Sequence, residues 1–179
     1  MTSAFYEAGT LRQIANTLLL GWGYNFYRLE NQLRADDQMV CAKAAWILGE
    51  AAKAISDAET TYRRVALAPP TRAKPFPDAD ALAQAQPLER LVASVVALAS
   101  RLHSLPTPEQ DLMTLRFRQE EDTLARLVVS DETLVGQAEI LRQAVAGASA
   151  ETLLAKLSDL EAGLIGLQDT LRTRQGLLM

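Results

Sequence analysis

An all-α helical bundle is the fold this sequence predicts, and three observations predict it. All seven prolines lie between Pro69 and Pro108, which leaves 1–68 and 109–179 free of the residue most costly to a helix interior. Leu153, Leu157, Leu160, Leu164, Leu167 and Leu171 recur at steps of four and three, the signature of one apolar stripe along a helix. No alternating strand pattern and no internal repeat accompanies them. The expected architecture is five to six helices in one domain spanning 1–179. It comprises a helical half at 1–67, a proline-rich crossover connection at 68–87 and a second helical half at 88–179.

The first half carries Leu11, Ile14, Leu18, Trp22, Phe26, Leu29 and Leu33 at helical spacing, then Val40, Ala44, Ile47, Ala51, Ala54, Ala58, Tyr62 and Val65. One helix over Leu11–Leu67 would be roughly 85 Å long, so a break is required. Arg34-Ala35-Asp36-Asp37 is the preferred site, because either aspartate could cap a second helix; Gly21-Trp22-Gly23 is the rival. From Ala68 to Pro87 the composition reads as a surface connection with a short helical turn at 78–85, long enough to cross a bundle from end to end. Pro87 sits at the favoured first position of a third helix running Leu88, Leu91, Val95, Leu98, Leu102 and Leu105.

Thr107 and Pro108 predict the start of a fourth helix, with Glu109 and Asp111 in its first turn. Ser130 predicts the cap of a fifth, carrying Leu134, Ala138, Leu141 and Val145 and ended by Gly147. Ser149 caps the last helix, the leucine stripe itself, which ends near Arg174.

Composition bounds the function. Hydrophobic residues make up 49% and charged residues 22%, values of a globular chain rather than a disordered one. Cys41 is the single cysteine, so no internal disulfide can form and the fold rests on packing. The run Leu18-Leu19-Leu20 is too short for a signal-peptide core or a membrane span, and a cytoplasmic protein is expected. Residues 106–179 hold seven Lys/Arg against twelve Asp/Glu, the wrong sign for gripping phosphates, so nucleic acid is not an expected partner.

Catalytic and metal chemistry find little to stand on. The single histidine, His103, has Ser100 three residues before it where a di-iron bundle would place a glutamate, and one His with one Cys cannot make a zinc site. It reads as a helix-end histidine interacting with the dipole. Cys41, on an alanine-rich helix beginning at Asp36-Asp37, reads as a small buried apolar residue. Glu120-Glu121-Asp122 point into different sectors of a helix and read as a solvated face. The nine glycines are dispersed, with none between Glu50 and Val135 to cradle a phosphate. No enzyme activity, cofactor or metal is expected.

Eight of the ten aromatics fall within residues 5–62. Trp22 to Tyr27 is apolar around nearly a whole helix circumference, the pattern of a buried central helix; the sharper reading is a pocket for a small apolar ligand among Trp22, Phe26, Trp46 and Tyr62. A separate stretch, Leu124 to Leu134 within 105–141, resembles a bacterial helix-turn-helix of the sigma-factor or LuxR kind. Leu124-Ala125, Val129-Ser130 and Thr133-Leu134 fall at the matching steps. That resemblance implies a DNA-binding regulator with a motif at about 112–141. The sequence departs from it at Val128, where glycine is usual, and in Asp131, Glu132 and Glu139 on the would-be recognition helix; two bundle helices joined by a Ser-capped turn are preferred. The leading expectation is a non-enzymatic helical adaptor, accessory subunit or chaperone acting through protein–protein contacts, as a homodimer. Leu153, Leu157, Leu160, Leu164, Leu167, Leu171, Leu177 and Leu178 would be its partner-binding residues.

Overall fold

A computed structural model describes residues 8–20, 33–67, 69, 71–72, 75–105 and 121–178. The described residues form six helices and no strand: α1 (Ala8–Leu20), α2 (Leu33–Ala66), α3 (Ala79–His103), α4 (Glu121–Val145), α5 (Ala150–Ala155) and α6 (Leu157–Leu178). The bundle is therefore the fold the sequence predicts, with boundaries that differ at four places.

The first difference is in α2, which begins at Leu33 and runs about 50 Å without a break. Arg34, Ala35, Asp36 and Asp37 lie inside it, so neither aspartate marks the junction between helices. The rival junction, Gly21-Trp22-Gly23, lies outside the described residues, between the end of α1 and the start of α2. What makes α2 a good scaffold is its small residues. Ala44, Ala45, Ala51 and Ala52 are buried beside Ile47, Leu48 and Ile55, and side chains this short let a neighbour approach closely.

That neighbour is α3. Its heptad positions Leu88, Leu91, Val95, Leu98 and Leu102 are all buried, as the spacing requires. The helix begins eight residues before Pro87, the second difference. Asp78, in extended geometry, accepts hydrogen bonds from the backbone N–H of Asp80 and Ala81 at 3.0 and 3.2 Å and caps the helix there. Pro87 then sits inside α3, where its missing N–H leaves one helical bond unmade. Ala85 and Leu88, fully buried on either side of it, anchor the helix through that gap.

The connection is consequently shorter than 68–87, and it does not cross the bundle. Tyr62 Oη donates to Gln84 Oε1 at 2.9 Å, and Arg63 Nη2 donates to Glu89 at 2.8 Å. These bonds tie the end of α2 to the start of α3, so the two helices are antiparallel and the proline-rich segment closes a hairpin at their near ends.

The third difference is α4. The fourth-helix start expected at Thr107 and Pro108 lies outside the described residues. Ser130 caps nothing, because α4 is continuous from Glu121 to Val145 and Ser130 lies in its middle. Every residue from Ser130 to Glu139 except Thr133 is buried, which makes α4 the central helix of the bundle, with α1, α2 and α6 packed around it. The end of α4 is as expected: Gly147 takes φ +65°, a left-handed conformation that glycine adopts without penalty.

The fourth difference divides the leucine stripe. Ser149 Oγ accepts from Thr152 N–H at 3.3 Å and caps a helix, but that helix is the short α5. The chain turns at Lys156, and α6 continues from Leu157. The turn lets the stripe change partners: α5 packs on α2 and α3, while α6 packs chiefly on α4. Leu153, Leu160, Leu164, Leu167 and Leu171 are buried and Leu157 is half-buried. The stripe expected to bind a partner is thus an internal seam, filled by the chain's own α2, α3 and α4.

Leu160 is 2% exposed and Glu161 is exposed on the adjoining sector. Leu160→Ala should cost about 2–5 kcal/mol through lost transfer energy and the cavity left behind. Glu161→Ala should change stability by less than about 0.5 kcal/mol, as exposed substitutions usually do. Thermal melts of the two variants check this, and equal effects would remove Leu160 from the core.

Candidate functional site

The largest exposed aromatic among the described residues is Trp46, on α2, at 53% exposure. Three residues earlier on the same helix, Lys43 places its Nζ 4.0 Å from the centre of the indole ring, a cation–π contact. Burial pulls the Lys43 ammonium below its ordinary pKa, and the Glu139 carboxylate of α4 opposes that shift. The lysine is therefore braced from inside the bundle while its head covers one side of the indole. The rest of the ring faces a shallow groove of about 520 Å³ between α2 and α3. Gly49 and Ala45 form its floor on α2, Val92, Val96 and Ala99 its far wall on α3, and Lys53 and His103 contribute polar edges. Val96 is 47% exposed, so groove and rim present a contiguous apolar surface.

The remaining site candidates of the sequence scatter. Trp22 and Phe26 lie outside the described residues. Tyr62 sits sixteen residues beyond Trp46, about 24 Å along α2, and lines a different groove with Val65, Gly147 and Ala148. Trp46 and Tyr62 therefore do not share the aromatic pocket expected of them. Leu177 is half-buried near the end of α6, and the side chain of Leu178 lies outside the described residues. His103 is the last residue of α3 and exposed, as a helix-end histidine would be, and Cys41 is 7% exposed. Among the described residues no cluster of three or more His, Cys, Asp or Glu could hold a metal ion, and no helix is long and apolar enough to cross a membrane.

Sequence reasoning missed a row of buried polar residues along α4. Arg174 Nε donates to Asp131 Oδ1 at 2.5 Å, with both side chains 1% exposed. Arg12 Nε of α1 donates to Glu132 Oε2 at 3.0 Å. Thr170 Oγ1 of α6 donates to Gln137 Oε1 at 2.9 Å. Glu139 receives Arg142 through two bonds at 2.8 and 2.6 Å and Gln143 at 2.9 Å. Only the Ser130 hydroxyl is buried with no hydrogen-bond partner among the described residues. The helix-turn-helix resemblance fails on these facts: Val129-Ser130 makes no turn, and Asp131, Glu132 and Glu139 face helices of the bundle. The available signal was the clustering of acidic and amide residues between Leu127 and Leu141, which a solvated face and a buried paired one share.

No known protein family matches the chain, and comparisons with curated proteins and with solved structures likewise give no match.

Breaking the Asp131–Arg174 pair leaves a buried charge uncompensated. Asp131→Ala should therefore cost about 3–5 kcal/mol, and the double change Asp131→Leu with Arg174→Met should recover most of that loss in denaturant titrations. The hydrogen bonds from Arg142, joined by those from Gln143 and by the Lys43 charge, hold the Glu139 carboxyl below the ordinary glutamate value of 4.5 despite its desolvation. Its contribution to stability is then complete above 4.5 and disappears as pH falls through the lower folded value. Thermal melts across the acid range should show that loss, and Glu139→Gln should make it shallower while lowering stability at neutral pH.

Proposed function

We propose that this protein is a non-enzymatic helical adaptor or accessory subunit that docks a partner protein on the α2–α3 groove around Trp46. The exposure of Trp46 carries the reading. A tryptophan left half in water on an ordered helix, braced by Lys43 and facing Val96 across an apolar groove, is what an interface anchor requires. The leucine stripe of α5 and α6 is spent on the chain's own core, so the contact surface shifts from the last helix to the opposite side of the α2–α3 hairpin. The groove's apolar walls suit the apolar face of a partner helix laid between α2 and α3.

The test compares four versions of the full chain as bait. Trp46→Ala and Val96→Asp alter the groove, whereas Phe76→Ala removes an apolar side chain that is 79% exposed and outside it. All three should keep the helical circular dichroism spectrum, because none touches the buried core. A partner captured by the native chain should bind Phe76→Ala equally well. It should bind Trp46→Ala about thirty-fold or more weakly, the scale of an anchor worth about 2 kcal/mol. Equal binding to Trp46→Ala and Phe76→Ala would defeat the reading.

A further inference from the structure

α1 has thirteen residues, a length at which an isolated helix is marginal, so its order depends on what it lies against. Its principal support is α4, 116 or more positions away in sequence by its nearest described contacts with Glu132 and Gly136. Three complementary features join the two helices. Leu11 and Ala15, one turn apart, are 2% and 0% exposed. Gly136 gives α1 room: a Cβ there would stand 2.7 Å from the Leu11 carbonyl oxygen and 2.9 Å from its Cα, closer than real atoms approach. Arg12, itself 62% exposed, reaches Glu132, whose side chain is only 7% exposed. Glu132 and Gly136 are one turn apart on α4, as Leu11 and Ala15 are on α1. A carboxylate and a glycine notch on one helix thus receive an arginine and a leucine backbone from the other.

We propose that this face of α4 is a helix-receiving groove, filled within the chain by α1 and filled in exchange by α1 of a second copy, giving a homodimer by reciprocal helix exchange. The occupant follows from the fit. The notch and carboxylate match the Leu11-Arg12-x-x-Ala15 pattern, and a second copy of the chain presents that same pattern. The exchange preserves the Leu11–Gly136 and Arg12–Glu132 contacts and is two-fold symmetric, so it closes at two chains. The surface lies on α4, away from the Trp46 groove, and the proposal is independent of the adaptor reading.

Two full-length variants test it by complementation. Leu11→Ala weakens the helix and leaves the groove intact; Gly136→Leu blocks the groove and leaves the helix intact. Mixed in equal amounts, they should form a one-to-one complex of about twice 19.6 kDa by light scattering, and neither should dimerise comparably alone. Circular dichroism melts establish that each variant is folded. Should Gly136→Leu fail to fold, a fluorescein-labelled peptide of residues 8–20 supplies the second measurement. By anisotropy it should bind full-length Leu11→Ala at least ten-fold more tightly than the native chain, whose own α1 competes. The same peptide carrying Arg12→Ala should lose most of that gain. A mixture that stays at 19.6 kDa, or a peptide that binds Leu11→Ala no better than the native chain, would overturn the proposal.

Discussion

The structure depends on one constraint: α4 is surrounded by protein and yet carries Asp131, Glu132, Gln137 and Glu139 in its enclosed stretch. A buried polar group without a partner costs roughly 1–3 kcal/mol, and a buried charge considerably more. Each of these side chains must therefore meet its complement, and the complements come from several directions. Arg12 arrives from α1, Arg174 and Thr170 from α6, and Arg142 from α4 itself. Asp131 and Glu132 are adjacent in sequence but point to opposite neighbours, so one short segment determines where two helices lie. Apolar packing alone tolerates sliding by a turn. A paired carboxylate does not, because a turn of slippage would leave both partners buried and unmet.

Around that spine the apolar residues divide their work by size. The alanines of α2 bring α3 close, and the leucines of α3 fill the seam between them. The leucines of α5 and α6 follow a single period in sequence yet serve two surfaces, because the chain turns at Lys156 and redirects the stripe from α2 and α3 to α4. Gly136 performs the opposite service to a leucine. Its missing side chain is the space in which Leu11 rests.

What remains outside this internal economy of contacts is the face of α2 and α3 around Trp46. Lys43 connects it to the spine, since the same ammonium lies over the indole and feels the Glu139 carboxylate. An exposed aromatic held by a residue of the core is pre-organised: little further ordering is needed when a partner covers it. This is the physical content of reading the groove as a docking surface, and it explains why the site uses no charged pair of its own.

The sequence by itself determined the helical class, the clustering of prolines outside long helices, the buried stripe of α3, the cap at Ser149 and the left-handed turn at Gly147. Each follows from local rules: period, missing donors, side-chain oxygens near free N–H groups, and glycine's freedom at positive φ. It also picked out Trp46 as an aromatic of interest and Leu160 as a core residue. Tertiary structure decided the rest. Pro87 lies within α3 because buried neighbours on both sides outweigh the lost bond, and Ser130 lies within α4 because the polar residues beside it find partners up to 120 positions away. Whether Asp131 and Glu132 cap a helix, face DNA or lie buried depends on whether Arg174 and Arg12 reach them. Local spacing carries no record of that meeting, because an ion pair between distant helices exists only once the helices have packed.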